Sequence, residues 1–260
     1  MPPLNSARAK LARAGKHFHT LQVEIPAFIR ERRYSVIHEV DADRFYHRWK
    51  VPLGEPFPEE WGLIVGDFAH NARSALDHIA WQLAGADPAD TWTQFPLYAE
   101  ETKFGHASRV MKTIPHRPLA LVKWLQPYRR PEPLNDPLWW LHTLDAEDKH
   151  KTITVMLAAM IDANVEPMVP PKSRLRHQII FNPGPFDPAE AEAVIAEGEI
   201  IVTPLDGSPP HTDVKVDFEA TFGVAIRADT ARMTLLPGLP NLHRILVCAW
   251  DVWGKFLRYT

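Results

Sequence analysis

The chain has 260 residues, of which 45% are hydrophobic and 23% charged, with a net charge of −3. That balance is ordinary for a globular protein and excludes disorder or coiled coil as a description of the whole chain. It also excludes a globally basic nucleic-acid binder, while leaving room for a local basic patch. At about 150 residues per domain the length holds one large domain or two small ones sharing a core, and with no repeat or flexible linker residues 1–260 read as a single domain. The 25 prolines against 12 glycines point to many rigid turns rather than low complexity. Cys248 is the single cysteine and lies in an apolar stretch, so a buried thiol and a cytoplasmic location are expected. No membrane partner is expected either. The apolar run around Val155 to Ile161 is far short of the about 18 residues of a span, and the opening residues lack the apolar core of a signal peptide.

In chain order, residues 1–52 read as a helix and a hairpin. Leu11, Ala14, Phe18, Leu21, Ile25 and Phe28 recur at spacings of three and four from Leu4 to about Arg33, with Pro26 placed to kink or split the helix. The same segment carries Arg8, Lys10, Arg13, Lys16, Arg30, Arg32 and Arg33 against Glu24 and Glu31, an excess of five positive charges. It reads as a solvated face or a phosphate-contacting one. Tyr34, Val36, His38 and Val40, then Phe45, His47, Trp49 and Val51, alternate around Asp41-Ala42-Asp43 as a hairpin. A helical core is expected over 59–161: one helix from Glu59 to Ala84, short helices within 87–118 and from Leu119 to Leu125, and a long one to about Ile161. The last is N-capped by Asp136 with Pro137 at its first position. Residues 172–260 read as sheet and a closing helix. A strand from Val214 to Ile226 is expected to pair with Glu199–Thr203 through Asp206–Pro210, Arg176–Phe181 adds a strand, and a helix runs from about Asn241 to Tyr259. The class is α+β: three to four main helices packed on an antiparallel sheet with strands from both ends of the chain.

The segment Gly66 to Leu83 has an unusual polar face. At 100° per residue Asp67, His70, Ser74, Asp77 and Trp81 share one side, flanked by Arg73 and His78, with none of the Lys and Glu of a solvated helix. Trp81 in its midst argues that something covers this face. The helix after Pro137 offers partners. His142, Asp145 and Lys149 share a side, with Asp145 and Lys149 readable as a surface pair and with Asp148 and His150 expected to face Arg73 and His78. Such gathered titratable groups suit either a reactive site or a buried polar network.

The segments His70-Asn71-Ala-Arg-Ser-Ala-Leu-Asp-His78, Phe95-Pro96 and Leu141 to His150 resemble a widespread family of uncharacterised bacterial proteins over most of the chain. Arg73-Ser-Ala-Leu-Asp-His78 is also similar to the Arg-x4-His motif of HEPN ribonucleases, helical and usually dimeric proteins of toxin and antiphage systems. That resemblance implies metal-independent RNA cleavage in a homodimer without a cofactor. His78 would be base or acid and Arg73 the cation for the developing phosphorane charge, with His70 and Asp77 beside them. Asn71, Ser74, Trp81, Asp145, Asp148, Lys149 and His150 would line the binding surface. The chain departs from the motif in having Ser74 where Asn or Asp is common, and in its long sheet. Two other functions suit the same residues. Asp67, His70 and Asp77 point one way and suit a divalent metal, shared with Asp148 or His150, for hydrolytic or oxidative chemistry. A non-enzymatic binding or structural protein would use the network as architecture.

Overall fold

In the computed structural model the described residues are 4–85, 93–106, 113–164, 172–187, 190–214, 216–228, 233–235 and 237–259. They form an α+β fold with strands from both the N-terminal and C-terminal parts. The chain divides into two compact units, each built from separate stretches. The first takes Met1–Val23, Glu59–Thr154 and Arg227–Thr260, and the second takes Glu24–Pro58 and Val155–Ile226. Among the described residues no helix is long and apolar enough to cross a membrane.

The first unit is helical. Helix α1 (Asn5–Arg32) begins in it and buries the expected stripe of Leu11, Ala14, Phe18 and Leu21. It continues through Pro26 rather than splitting there. Helix α2 (Glu60–Ala84) follows Pro56 and Pro58 and stops at Gly85, whose left-handed backbone (φ 57°) closes the last turn on Gln82 and Trp81 carbonyls. Short helices α3 (Glu101–His106) and α4 (His116–Trp124) come next. Helix α5 (Pro137–Asp148) has the expected cap: an Asp136 carboxylate oxygen accepts from the Leu138 N–H at 2.8 Å, and proline occupies the first helical position, where no N–H bond is lost. Helix α6 (Gly238–Phe256) carries a strongly amphipathic sequence and buries Leu242, Ile245, Ala249, Val252 and Phe256, packing with α2 and α5.

The helix expected to reach Ile161 is shorter than the sequence implied. It ends at Asp148, and Thr154–Asn164 is strand β3. Thr152, Ile153, Thr154 and Val155 are consecutive β-branched residues, which crowd a helix and suit a pleated surface, so they override the helical spacing of the apolar positions.

The second unit holds the larger sheet, in the order β1 (Ile37–Asp41), β2 (Tyr46–Pro52), β5 (Glu192–Pro204), β4 (Ser173–Phe181). The β1–β2 hairpin is antiparallel as expected, with His38 opposite Trp49 and Val40 opposite His47. The partner expected for the strand around Val214–Ile226 is not found. Strand β5 pairs with β4 from Pro204 back to Ala196 and with β2 from Glu199 to Glu192, whereas β6 (Asp217–Ala228) belongs to a second sheet of order β3-β6-β7, with β7 at Met233–Leu235. After Pro204 the chain returns to β5 through an isolated bridge between Val202 and His211.

Candidate active site

Two helices fix the surroundings of α2 from opposite sides. Helix α1 runs antiparallel to it, because the Leu4 N–H donates to Gln82 Oε1 at 2.7 Å while Phe18 meets Phe68 with ring centroids 6.4 Å apart. Helix α5 approaches the other side, where α2 has no side chains to hold it off. A Cβ on Gly66 would sit 1.8 Å from Asp148 Oδ1, and one on Gly62 would sit 2.1 Å from the Ile153 carbonyl oxygen. These glycines admit close backbone approach. Between the two flanks lies an open strip of α2 containing Asp67, His70, Ser74, His78 and Trp81.

The strip ends in a deep polar layer beside α5. Arg73 is 5% exposed. Its Nη2 donates to the Phe95 carbonyl at 2.8 Å, and its Nη1 forms an ion pair with Asp77 Oδ1 at 2.7 Å. The same Asp77 oxygen accepts from the Phe95 N–H at 2.8 Å. Arg73 and Asp77 therefore grip both polar groups of one backbone residue, and buried Gln126 continues the grip by bonding the Pro96 carbonyl and accepting from the Tyr98 N–H. Burial raises the Asp77 carboxyl above its ordinary range, outweighing the opposing pull of Arg73 and the Phe95 N–H.

Nearer the surface, His70 Nδ1 lies 3.1 Å from Asp145 Oδ1, and Lys149 Nζ lies 2.6 Å from Asp145 Oδ2. The Asp145 side chain is 6% exposed and that of His70 is 51% exposed, so a buried carboxylate holds an imidazole whose other edge meets solvent. The reading of Asp145 and Lys149 as a surface pair is thus corrected: the pair exists, but its carboxylate is buried, on a helix whose last residue meets α2 at Gly66. His142 stands beside Trp139 with ring centroids 5.3 Å apart, and burial followed by the Arg73 charge lowers its pKa. The Asp148 carboxyl rests on Gly66 and is raised by burial, then by Asp67 and Asp145.

Other expected residues fall elsewhere. His78 lies toward α1, where burial and then Lys10 lower its pKa against an opposing effect of Asp77. Asn71 donates to the Asp67 carbonyl at 2.8 Å, an interaction within α2. Trp81 is not covered as expected but 40% exposed, since the strip between α1 and α5 is open. His150 lies just beyond the end of α5, exposed, and its side chain makes no hydrogen bond or ion pair among the described residues, so it does not complete the site with Asp148. Asp67, His70 and Asp77 are not brought together as a ligand set. His70 faces Asp145, Asp77 faces Arg73 and Phe95, and no three His, Cys, Asp or Glu side chains are grouped for a metal among the described residues. His142 was visible in sequence as a neighbour of Asp145 but had no partner to mark it as part of the cluster. Phe95-Pro96 stood out in the sequence only through the family resemblance, with no side-chain chemistry to mark the Phe95 backbone as a partner of α2.

No protein-family model matches the chain, and no curated protein or solved structure is significantly similar to it.

Proposed function

We propose that the chain is a metal-independent endoribonuclease whose reacting groups lie on α2 and α5. The observation that carries this reading is the half-exposed His70 held through Nδ1 by buried Asp145. A carboxylate on one ring nitrogen fixes the tautomer and leaves Nε2 as the nitrogen that accepts a proton. In this reading Nε2 takes the proton of an RNA 2′-hydroxyl, the 2′-oxygen forms a bond to phosphorus, and the bond from phosphorus to the 5′-oxygen breaks. Lys149, beside Asp145, supplies positive charge to the phosphorane oxygens. Asp148, whose burial favours the protonated carboxyl, returns a proton to the leaving 5′-oxygen. Arg73 is a positioning residue here, because its guanidinium is engaged with Asp77 and Phe95. The cytoplasm is the compartment that suits this reading and a thiol such as Cys248, which burial pushes up to about 11 and thus away from the reactive thiolate.

The test is incubation of purified protein with single-stranded RNA in excess chelator, with product ends analysed. Fragments ending in 2′,3′-cyclic phosphate are expected from the wild type and lost in both His70→Ala and Asp145→Asn, with helical circular dichroism retained. Intact RNA from a well-folded wild-type protein overturns the reading. Cleavage only when a divalent metal is restored overturns its metal independence.

A second reading rests on the grip of Arg73 and Asp77 on Phe95. If RNA stays intact, the polar layer is architecture that pins residues 95–98 to α2, and loss of Arg73 then affects stability alone.

A further inference from the structure

The basic N-terminal segment has no part in the chemistry above, yet the packing brings one side of it to the open strip of α2. Leu4 meets Gln82 and Phe18 meets Phe68. This antiparallel register places Lys10 level with the Leu76–His78 turn, Arg13 level with Arg73–Ser74, and His17 level with Asp67–His70. Lys10, Arg13 and His17 follow the spacing of one helix stripe, next to the buried Leu11, Ala14 and Phe18. Arg8 and Lys16 fall on other sides of α1 by the same count. The strip is therefore bordered by cations of α1 on one flank and by His142 and Lys149 of α5 on the other.

We propose, resting on the ribonuclease reading, that this strip is a channel for single-stranded RNA, whose phosphates follow Lys10 and Arg13 while a base stacks on Trp81. Two features carry it. Lys10 and Arg13 along the α1 flank complement a polyanion, with Asp67 confined to the His17 end of the strip. The exposed indole of Trp81 supplies a face for any base. His70 and Trp81 are about 16 Å apart along α2, a span of several nucleotides leading to the proposed reacting group. Burial lowers the pKa of His78, with Lys10 adding to it, and lowers that of His17 against the opposing charge of Asp67, so charges of α1 and of the strip act on one another.

The experiment uses the full chain and a fluorescein-labelled 12-nucleotide 2′-O-methyl oligouridylate, which binds as RNA but lacks the attacking hydroxyl, so that the measurement is independent of cleavage. In Lys10→Ala/Arg13→Ala the affinity is expected to fall about tenfold, and the slope of log K against log salt to flatten by about 1.4, as two phosphate contacts on a single strand are lost. Arg8→Ala/Lys16→Ala is expected to bind like the wild type. The same oligonucleotide paired with oligoadenylate is expected to bind at least tenfold more weakly, because its bases are already stacked in the duplex and offer no free face to Trp81. Unchanged affinity and slope in Lys10→Ala/Arg13→Ala, an equal loss in Arg8→Ala/Lys16→Ala, or duplex binding as tight as single-strand binding overturns the channel. The two proposals fail separately. Binding of this pattern without any RNA cleavage keeps the channel and removes the nuclease, whereas cleavage with an indifferent double variant keeps the nuclease and removes the channel.

Discussion

His70 and Asp145 meet across two helices, Nδ1 to Oδ1 at 3.1 Å, with the carboxylate buried and the imidazole half in solvent. A surface pair of this kind is worth little, but a buried carboxylate that orients an imidazole fixes which ring nitrogen faces solvent. Asp145→Asn preserves shape and removes the charge. We expect cleavage to fall between about 10²-fold and 10⁴-fold in this variant and in His70→Ala, the range of a lost general base. Cleavage by His70→Ala at a rate within a few-fold of the wild type would remove His70 from the chemistry.

The grip on Phe95 is a stability feature first. Arg73→Met leaves Asp77 ion-free in a mostly buried place and strips the Phe95 carbonyl of its donor. Breaking a buried pair from one side costs about 3–5 kcal/mol, so the denaturant midpoint should drop by a corresponding amount. Arg73→Met/Asp77→Asn should recover part of that loss, because the second change removes the orphaned charge. Additive losses in the double variant would show that the two side chains act independently.

Gly66 sets how near α5 can come. In Gly66→Ala the methyl group would overlap Asp148 Oδ1, so either Asp148 swings away or the helices part. A destabilisation of about 1–3 kcal/mol is expected, as for overpacking, measured by chemical denaturation. Combining Gly66→Ala with Asp148→Ala should relieve most of it, since the overlap is with the carboxyl group and not with backbone.

The second unit contains a pH-dependent element. His47 is 1% exposed, with Nδ1 2.9 Å from His38 Nε2 and Nε2 bonded to the Thr212 hydroxyl, which donates in turn to the Ile200 carbonyl at 2.7 Å. Burial, then His38, lowers its pKa to about 4 from an ordinary 6.5. The unfolded chain therefore binds this proton more readily than the folded one. The contribution to stability is complete above about pH 6.5 and is lost as pH falls through the folded value, amounting to about 3 kcal/mol. Denaturation midpoints at pH 7 and pH 4.5 should differ more in the wild type than in His47→Gln. Equal differences would contradict a neutral, buried His47.

The helices were largely legible because their signals are local. Asp136 and Pro137 announce a start, Gly85 a stop, and the apolar stripe of α1 its buried side. The site was legible as a list of residues and not as an arrangement. Asp145 and Lys149 at four residues' spacing look the same on a surface helix as on a sunken one, and the close packing that Gly66 allows belongs to a different helix. The end of α5 was missed because Trp139 to Ile161 keeps an apolar pattern that fits both periods, so the β-branched residues from Thr152 carry the only distinction. The partner of β6 was missed for a similar reason: alternation reveals a half-buried face but not which strand lies alongside.

The interleaving of the two units has a consequence for synthesis. Helix α6 supports both α2 and α5, yet the strands β3 to β7 separate α5 from it in the chain. A growing polypeptide therefore exposes the residues of both polar helices well before the helix that braces them has left the ribosome.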